Sequence, residues 1–270
     1  MRDILCFENV SLTYQADNGE VNALENVSFC ASEGELVCVV GPSGCGKTTL
    51  LSLIAGLEKP STGRITIGGE EVTKVSDKTG YMLQKDSLLD WRTIRGNVLL
   101  GLEIRGTRCR ESIAFADSLL KCYGLWEFRD KHPTQLSGGM RQRAALIRTL
   151  AVKPEILLLD EAFSALDEQT RLVVADDVFN ILRHEKKTAI IVTHDIAECI
   201  SLADRVVVLS PRPGRVALNF RLKFTNDIND GTIPEGIASH HNNMPPLKRR
   251  DDPSFRQYFN TIRKELGIHG

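Results

Sequence analysis

Leu36-Val37-Cys38-Val39-Val40 runs without interruption into Gly41-Pro42-Ser43-Gly44-Cys45-Gly46-Lys47-Thr48. An unbroken apolar run of this length reads as a strand buried on both faces, as strands of parallel sheets are. The eight residues after it match the phosphate-loop pattern. Their glycines let backbone N–H groups converge on phosphate oxygens without side-chain interference. Lys47 is placed to neutralise β- and γ-phosphates, and the Thr48 hydroxyl to ligate Mg²⁺. A helix is expected to follow through Thr49-Leu50-Leu51-Ser52-Leu53-Ile54-Ala55, with Gly56 as its stop; its positive N-terminal end adds to the cradle. A strand before and a helix after separate a nucleotide site from a plain glycine turn. Cys45 sits inside the loop, close to the helix start and to Lys47, and both neighbours predict a lowered thiol pKa and a reactive thiolate.

Outward from the loop, Phe7-Glu8-Asn9-Val10-Ser11-Leu12-Thr13-Tyr14 alternates as a half-buried strand does, and Arg64-Ile65-Thr66-Ile67 with Gly68-Gly69 reads as a hairpin. The stretch 88–152 is mostly helical, with Ile113, Ala116, Leu119, Leu120 and Tyr123 at helical spacing and Gly124 as a stop. Ile156–Leu159, Ala189–Val192 and Val206–Leu209 are further apolar strands separated by helical patterns, which implies a parallel sheet covered on both faces. The stretch 225–243 is polar and reads as an exposed loop, with His240 and His241 solvated. Asp252-Pro253 is expected to cap a final amphipathic helix carrying Phe255, Tyr258, Phe259, Ile262 and Leu266.

Asp160 and Glu161 end one of the buried strands, and ligands of parallel sheets sit at the carboxyl ends of strands. Asp160 would hold Mg²⁺ through water and Glu161 would polarise an attacking water, unless the pair is an ordinary strand-to-loop turn. His194 follows Ile190-Ile191-Val192-Thr193 to the same edge and can donate a hydrogen bond to a γ-phosphate. Gln84 carries a weaker signal and reads equally as an exposed loop glutamine. Tyr14 either stacks on adenine or fills the β subdomain. Leu136-Ser137-Gly138-Gly139-Met140 reads as a capped helix start whose glycines permit close approach of a ligand. A second anion-facing helix start has no evident use for the chain's own nucleotide and suits one held by another copy.

Composition narrows the class. The chain has 270 residues, a formal net charge of −1 and a pI near 6.6, which makes no electrostatic case for a nucleic-acid partner. The N-terminus lacks the pattern of a signal peptide, and no apolar run approaches the roughly 20 residues of a membrane helix, so a soluble protein is expected, with any membrane role left to a partner. The 7 cysteines are dispersed without a C-x-x-C pair; free thiols in a reducing cytosol are expected rather than a disulfide framework, and no metal site built from the cysteines.

Taken in order, these residues resemble the ATP-binding cassette proteins. The match comprises the nucleotide loop at 41–48, the glutamine loop at Gln84, the signature at Leu136–Gly139, the magnesium strand and catalytic glutamate at 156–161, the aspartate loop Ser164-Ala165-Leu166-Asp167, and the switch histidine His194. Leu88-Leu89-Asp90-Trp91-Arg92-Thr93-Ile94-Arg95-Gly96-Asn97-Val98, Gly139-Met140-Arg141-Gln142-Arg143 and Leu209-Ser210-Pro211-Arg212-Pro213-Gly214-Arg215 are similar to the nitrate/sulfonate/taurine group of bacterial importer ATPases. Ile147-Arg148-Thr149 departs from the family's small-residue run and should alter helix packing more than chemistry.

The resemblance implies an α/β fold with a P-loop NTPase parallel-sheet core, an antiparallel β subdomain and a helical signature subdomain over about 88–152. It implies an ATPase domain over 1–216, followed by a C-terminal extension over 217–270. It also implies an ATPase that binds ATP and Mg²⁺. Catalytic roles fall to Glu161, His194 and Gln84, and metal contacts to Thr48, Gln84 and Asp160. Nucleotide contacts are implied for Tyr14, Gly41, Pro42, Ser43, Gly44, Cys45, Gly46, Lys47, Thr48 and Thr49, with Ser137, Gly138, Gly139 and Asp167 acting across a dimer. The implied partners are a second copy, transmembrane permease subunits near Gln84–Thr93 and, indirectly, an extracytoplasmic solute-binding protein; the implied place is the cytoplasmic face of the cell membrane. A non-transport cassette protein of DNA repair or translation is the alternative. It should carry a long heptad insertion or tandem cassettes, which this sequence lacks, and a small P-loop kinase leaves Leu136–Gly139 and Asp167 unexplained. Trp91 is expected either to seat in a permease groove or to pack inside the helical subdomain.

Overall fold

A computed structural model describes residues 2–16, 19–164, 166–224 and 244–267. The polar stretch 225–243, with His240 and His241, and Ala165 of the aspartate loop lie outside the described residues.

Two sheets sandwich the phosphate-loop helix. The first is antiparallel, in the order β2 (Gly19–Ser32), β1 (Asp3–Ala16), β4 (Thr62–Ile67), β5 (Glu70–Glu71). The second has β3 (Leu36–Val40) near its middle, in the order β10 (Val216–Arg221), β9 (Arg205–Leu209), β3, β8 (Thr188–Thr193), β7 (Ile156–Asp160), β6 (Thr79–Met82). All its pairings are parallel except that of β10, which closes one edge antiparallel to β9.

Alternation along the strands divides the interior in two. Val37, Val39, Ile156, Leu158, Ile190 and Val192 face α1 (Lys47–Ala55) and the inner face of the antiparallel sheet, where Phe7 stacks on Phe29 with centroids 4.8 Å apart. Leu36, Cys38, Val40, Leu157, Leu159 and Ile191 face the other way, toward helices. On that side lie α2 (Ile94–Val98), α3 (Leu100–Ile104), α4 (Arg110–Cys122), α5 (Gly138–Ala151), α6 (Glu168–His184) and α7 (Ile196–Leu202).

The C-terminal helices α8 (Pro246–Arg250) and α9 (Pro253–Glu265) close over the same core. Asp252 caps α9 by accepting from the Ser254 N–H, and Ile262 is buried beneath it. Arg249 is wholly buried. Its guanidinium lies over the rings of Phe179 and Phe224 and donates to the carbonyls of Ala203 and Met244.

Two cysteines depart from the expectation of free thiols. Cys6 and Cys30 stand directly opposite each other in β1 and β2 and form a disulfide. Their separation in sequence hides them, because it is the long hairpin that makes them neighbours. Among the described residues the one group with metal-ligand spacing, Asp3, Cys6 and Cys30, has both thiols in that bond.

Trp91 is 75% exposed, so it does not pack inside the helical subdomain. The loop presenting it is held from below by Asn97, which is fully buried. Its side-chain carbonyl accepts from the Leu89 N–H at 2.6 Å, and its amide donates to the carbonyls of Leu89, Arg92 and Thr93. Asn97→Ala leaves these backbone groups unpaired in a dry site and should cost about 3 kcal/mol. Trp91→Ala should change stability by no more than about 0.5 kcal/mol. Denaturant unfolding of the two variants checks both values; a larger loss for Trp91→Ala than for Asn97→Ala would contradict this account of the loop.

Candidate functional site

The register of the parallel strands brings the site together. Val40 pairs with Thr193 and Asp160 with Val192, so the ends of β3, β7 and β8 open on one edge. There the phosphate loop turns into α1 through Gly46, at φ 101°, where a Cβ would come within 2.7 Å of Leu24. A left-handed turn this close to a neighbouring side chain admits only glycine. A cleft of about 230 Å³ lies against it, lined by Tyr14, Ser43, Gly44, Gly46, Lys47, Thr48, Thr49 and Glu161 from the predicted set, together with Val21, Ala23 and Arg212. Tyr14 is half-buried; it both lines this cleft and packs on the β-subdomain core.

The Lys47 ammonium is buried and donates to the carbonyls of Gly41 and Pro42 at 2.8 and 2.9 Å. Thr48 Oγ1 donates to Asp160 Oδ1 at 3.3 Å, and the Tyr81 hydroxyl donates to Asp160 Oδ2 at 3.2 Å. Burial pushes the Asp160 carboxyl above the usual range. The two hydroxyls and Lys47 pull it back, Glu161 adds to the rise, and burial wins. The Tyr81 phenol is also raised, first by burial and then by the charge of Asp160.

Glu161 follows Asp160 in a left-handed conformation, φ 45°, a strained choice for a non-glycine residue and one that recurs at functional sites. Both carboxylate oxygens are engaged. Gln84 Nε2 donates to Oε2 at 3.1 Å, and His194 Nδ1 lies 3.1 Å from Oε1. Gln84 Nε2 also reaches Ser164 Oγ. A neutral His194 that donates through Nδ1 keeps Nε2 as an acceptor, so donation to a γ-phosphate requires a second ring proton or release from Glu161.

Other predicted residues lie elsewhere. Ser137 caps α5 by accepting from the Met140 N–H and is exposed, but none of residues 136–139 lines the cleft. Gly139 is buried, with Val174 only 2.8 Å from where its Cβ would be, so its smallness serves helix packing; Gly138 is half-exposed, and its Cβ would lie 3.0 Å from Leu166. Asp167 caps α6, and the Thr170 N–H holds its carboxyl below the usual range.

Cys45 contradicts the expectation of a reactive thiolate. Its side chain turns inward, fully buried, and burial raises its pKa against the weaker lowering by Lys47 and by backbone N–H groups. The sequence shows the nearby charge but not the desolvation that outweighs it.

Tyr81, Ser164 and Arg212 are missing from the predicted site residues, although Ser164 lies in the aspartate loop and Arg212 in the Leu209–Arg215 segment quoted for the resemblance. Tyr81 reaches Asp160 because β6 pairs with β7, and Arg212 donates to the Gly44 carbonyl at 3.2 Å because the 210–215 loop sits on the phosphate loop. Gly214 makes that seat possible: a Cβ there would lie 2.1 Å from the Cys45 carbonyl oxygen. In Ile147-Arg148-Thr149 the departures from the family's Ala-Arg-Ala run are Ile147 and Thr149, which are buried, while Arg148 matches it. Arg148 donates to the carbonyls of Asp86 and Ser87, and Arg141 pairs with the Asp86 carboxylate at 3.0 Å, so α5 grips the loop just after Gln84.

One turn beyond His194, Glu198 is 5% exposed and its Oε1 has no hydrogen-bond partner. Burial first, then the charge of Asp195, push its carboxyl up to about 7; Thr193 and Arg171 lower it and Glu161 raises it.

The family model described as ABC transporter matches residues 24–164. The chain is 46% identical over 259 residues to YtlC of Bacillus subtilis, described as an uncharacterized ABC transporter ATP-binding protein, spanning 96% of this chain and 94% of that one. It is 44% identical over 222 residues to the taurine import ATP-binding protein TauB of Rhizobium johnstonii, spanning 82% and 85%. Among solved structures it is similar to an ATP-binding cassette captured as a dimer in a post-hydrolysis state with ADP and Pi, at a TM-score of 0.69 and 32% identity, over 82% of this chain and 99% of that one.

Two measurements probe this region. In the folded protein a maleimide should label the exposed Cys109 and Cys122 and spare Cys45, as read by peptide mass spectrometry; rapid labelling of Cys45 would overturn its placement. Glu198 has a folded pKa raised above its ordinary 4.5, so its neutral form stabilises the fold. That contribution is complete below about pH 4.5 and is lost as pH rises through about 7. Glu198→Gln should therefore be more stable than the parent at about pH 8, by roughly 3 kcal/mol, and no more stable at about pH 4. Equal pH profiles of urea unfolding for the two proteins would sink this assignment.

Proposed function

This chain belongs to the ABC transporter ATP-binding proteins and is an ATP-binding ATPase, and from that premise we propose that two copies close around two ATP molecules to drive a membrane importer. The observation that carries the reading is a half-built cleft. The phosphate loop, Asp160, Glu161, Gln84 and His194 converge on one edge, while the anion-facing start of α5 points elsewhere with Ser137 exposed. A second copy supplies Ser137, Gly138, Gly139 and Asp167 to the first copy's nucleotide. The dimeric state of the solved cassette supports this arrangement.

Each residue then has a task. Lys47 exchanges the Gly41 and Pro42 carbonyls for phosphate oxygens, with the N–H groups of Ser43–Thr49 around them and Tyr14 against the adenine. Thr48 Oγ1, Asp160 and the Gln84 carbonyl form an all-oxygen donor set that fits Mg²⁺. The bound ion would neutralise charge developing on the β- and γ-phosphates. Glu161 takes a proton from the attacking water as that oxygen bonds to the γ-phosphorus and the bond to ADP breaks. Each oxygen keeps a free lone pair beside its contact to Gln84 or His194, so these two residues can orient the carboxylate while it accepts the proton. The Gln84 contact links Glu161 to the Gln84 loop.

That loop continues to exposed Trp91 and to Leu83, which is 49% exposed. We assign this face to a transmembrane permease, at the cytoplasmic face of the membrane. An extracytoplasmic binding protein would deliver nitrate, a sulfonate, taurine or a related small solute; the 44% identity to a taurine import protein supports the class.

Glu161→Gln should retain ATP binding and lose about 10²-fold or more in turnover, because it keeps the shape but removes the base. With ATP it should elute as a dimer on size exclusion, and with Trp91→Ala added it should still dimerise yet fail to co-purify with its permease. A monomer that hydrolyses ATP at the parent rate would refute the catalytic assignment, and permease capture unaffected by Trp91→Ala would refute the docking face.

A further inference from the structure

The nucleotide cleft occupies the carboxyl edge of the parallel sheet. The amino edge carries a second cavity, of about 450 Å³, a size usual for small-molecule sites. It opens where Lys78 leads into β6, Glu155 into β7 and Lys187 into β8. Its wall is strongly basic: the lining holds Arg2, Lys78, Lys153, Lys186 and Lys187 and the carboxylates of Glu33 and Glu155.

The two helices that end here do so in an unusual way. After α5 the left-handed residue is Lys153, φ 51°, and after α6 it is Lys186, φ 49°. Glycine commonly fills such positions because a side chain is strained there. Here both helices place a lysine in that strained position, and both lysines line the same cavity. Positive charge also suits a helix C-terminus, but that preference is met anywhere in the last turn and does not require the left-handed residue.

Lys187 is half-buried. Burial lowers its pKa first, Lys153 adds to the fall, and Glu185 and Glu155 oppose it. Its ammonium donates to the Pro154 carbonyl at 2.9 Å. Two other cations are partly committed, Lys78 to Glu70 at 2.7 Å and Lys153 to the ring of Phe115. Arg2 reaches the Gly68 carbonyl at 3.4 Å, and Lys186 is exposed. A partly desolvated ammonium beside like charges is costly unless an anion joins it.

We propose that this cavity is a binding site for a small polyanion, distinct from the nucleotide cleft, with Lys153, Lys186 and Lys187 as its principal cations. A singly charged anion would gain little against Glu33 and Glu155. A ligand with two or more negative charges, phosphoryl or carboxylate, engages several ammonium groups at once. The position suits control of turnover, since β7 and β8 run from the cavity floor to Asp160 and to the residue before His194.

The test is calorimetric titration of the full chain with pyrophosphate in magnesium-free buffer. The chain carries Lys47→Ala so that the phosphate loop does not compete, and a parallel titration uses citrate. The expected result is saturable one-to-one binding of at least one probe. Pyrophosphate alone marks a phosphoryl site, and citrate marks one that accepts carboxylates. Adding Lys153→Asn and Lys186→Asn, which remove charge while tolerating the left-handed backbone, should weaken binding at least about tenfold. Lys59→Asn, an exposed lysine outside the cavity, should leave it unchanged. If the double variant loses its thermal transition, Lys186→Asn alone serves, with a smaller loss expected. Absence of saturable binding by both probes, binding indifferent to the cavity variants, or equal weakening by Lys59→Asn would overturn the proposal.

Discussion

The buried carboxylate of Asp160 is the constraint around which the rest is arranged. A carboxylate that is 6% exposed at the end of an apolar strand is expensive unless hydrogen bonds and charge compensate it. Compensation arrives from two separate parts of the chain. The Thr48 hydroxyl and the Lys47 charge come from the phosphate loop where it enters α1, and the Tyr81 hydroxyl comes from the neighbouring strand β6. Each contact needs the parallel register of the sheet, because β6 pairs with β7 directly and β3 is aligned with it through β8. The same pairing gathers the oxygens of Thr48 and Asp160 at the corner that we assign to a divalent cation.

Glu161 is the complement to that fixed point. It is one residue further on, in a left-handed conformation that turns it out of the strand, and its two oxygens are divided between Gln84 and His194. The residue we propose as the base therefore touches two loops at once. Gln84 is continuous with a loop that Arg141 and Arg148 of α5 hold through Asp86 and Ser87, and that Asn97 holds from beneath Trp91. A displacement at Glu161 has a short, hydrogen-bonded route both to the signature helix and to an exposed aromatic. Such a route is a set of contacts that two arrangements of the site would favour differently, which is what coupling by differential affinity requires.

What was legible in the sequence follows from how local each signal is. Leu36–Thr48 could be read because a buried strand, a glycine pattern and a helix are contiguous. Asp160, Glu161 and His194 were reachable because strand ends in a parallel sheet share an edge whatever their distance in sequence. Features set by pairing between distant segments were not legible. The Cys6–Cys30 bond depends on the register of a long hairpin, Tyr81 on a four-residue strand with too few positions for periodicity, and Arg212 on a loop that packs against the phosphate loop. Cys45 failed in another way. Its charged neighbours are visible in sequence and its burial is not, and in a thiol the desolvation outweighs one ammonium and a few N–H dipoles.

The C-terminal segment extends the argument about burial. Sequence reading sees the amphipathic helix after Asp252, because its apolar residues recur at helical spacing, and sees nothing in the basic run Lys248-Arg249-Arg250. Yet Arg249 is the largest wholly buried side chain, stacked on Phe179 of α6 and on Phe224 and bonded to the carbonyl that ends α7. Arg250 donates to Ser201 of α7 at 3.2 Å. A guanidinium can be buried where its planar faces meet aromatic rings and its edges meet carbonyls, and a lysine could satisfy neither requirement as well. The extension thus grips α7, the helix that Asp195 caps and that carries Glu198. The backbone next to His194 is steadied from the C-terminal helices, and the geometry of the proposed catalytic edge depends on residues beyond the nucleotide motifs.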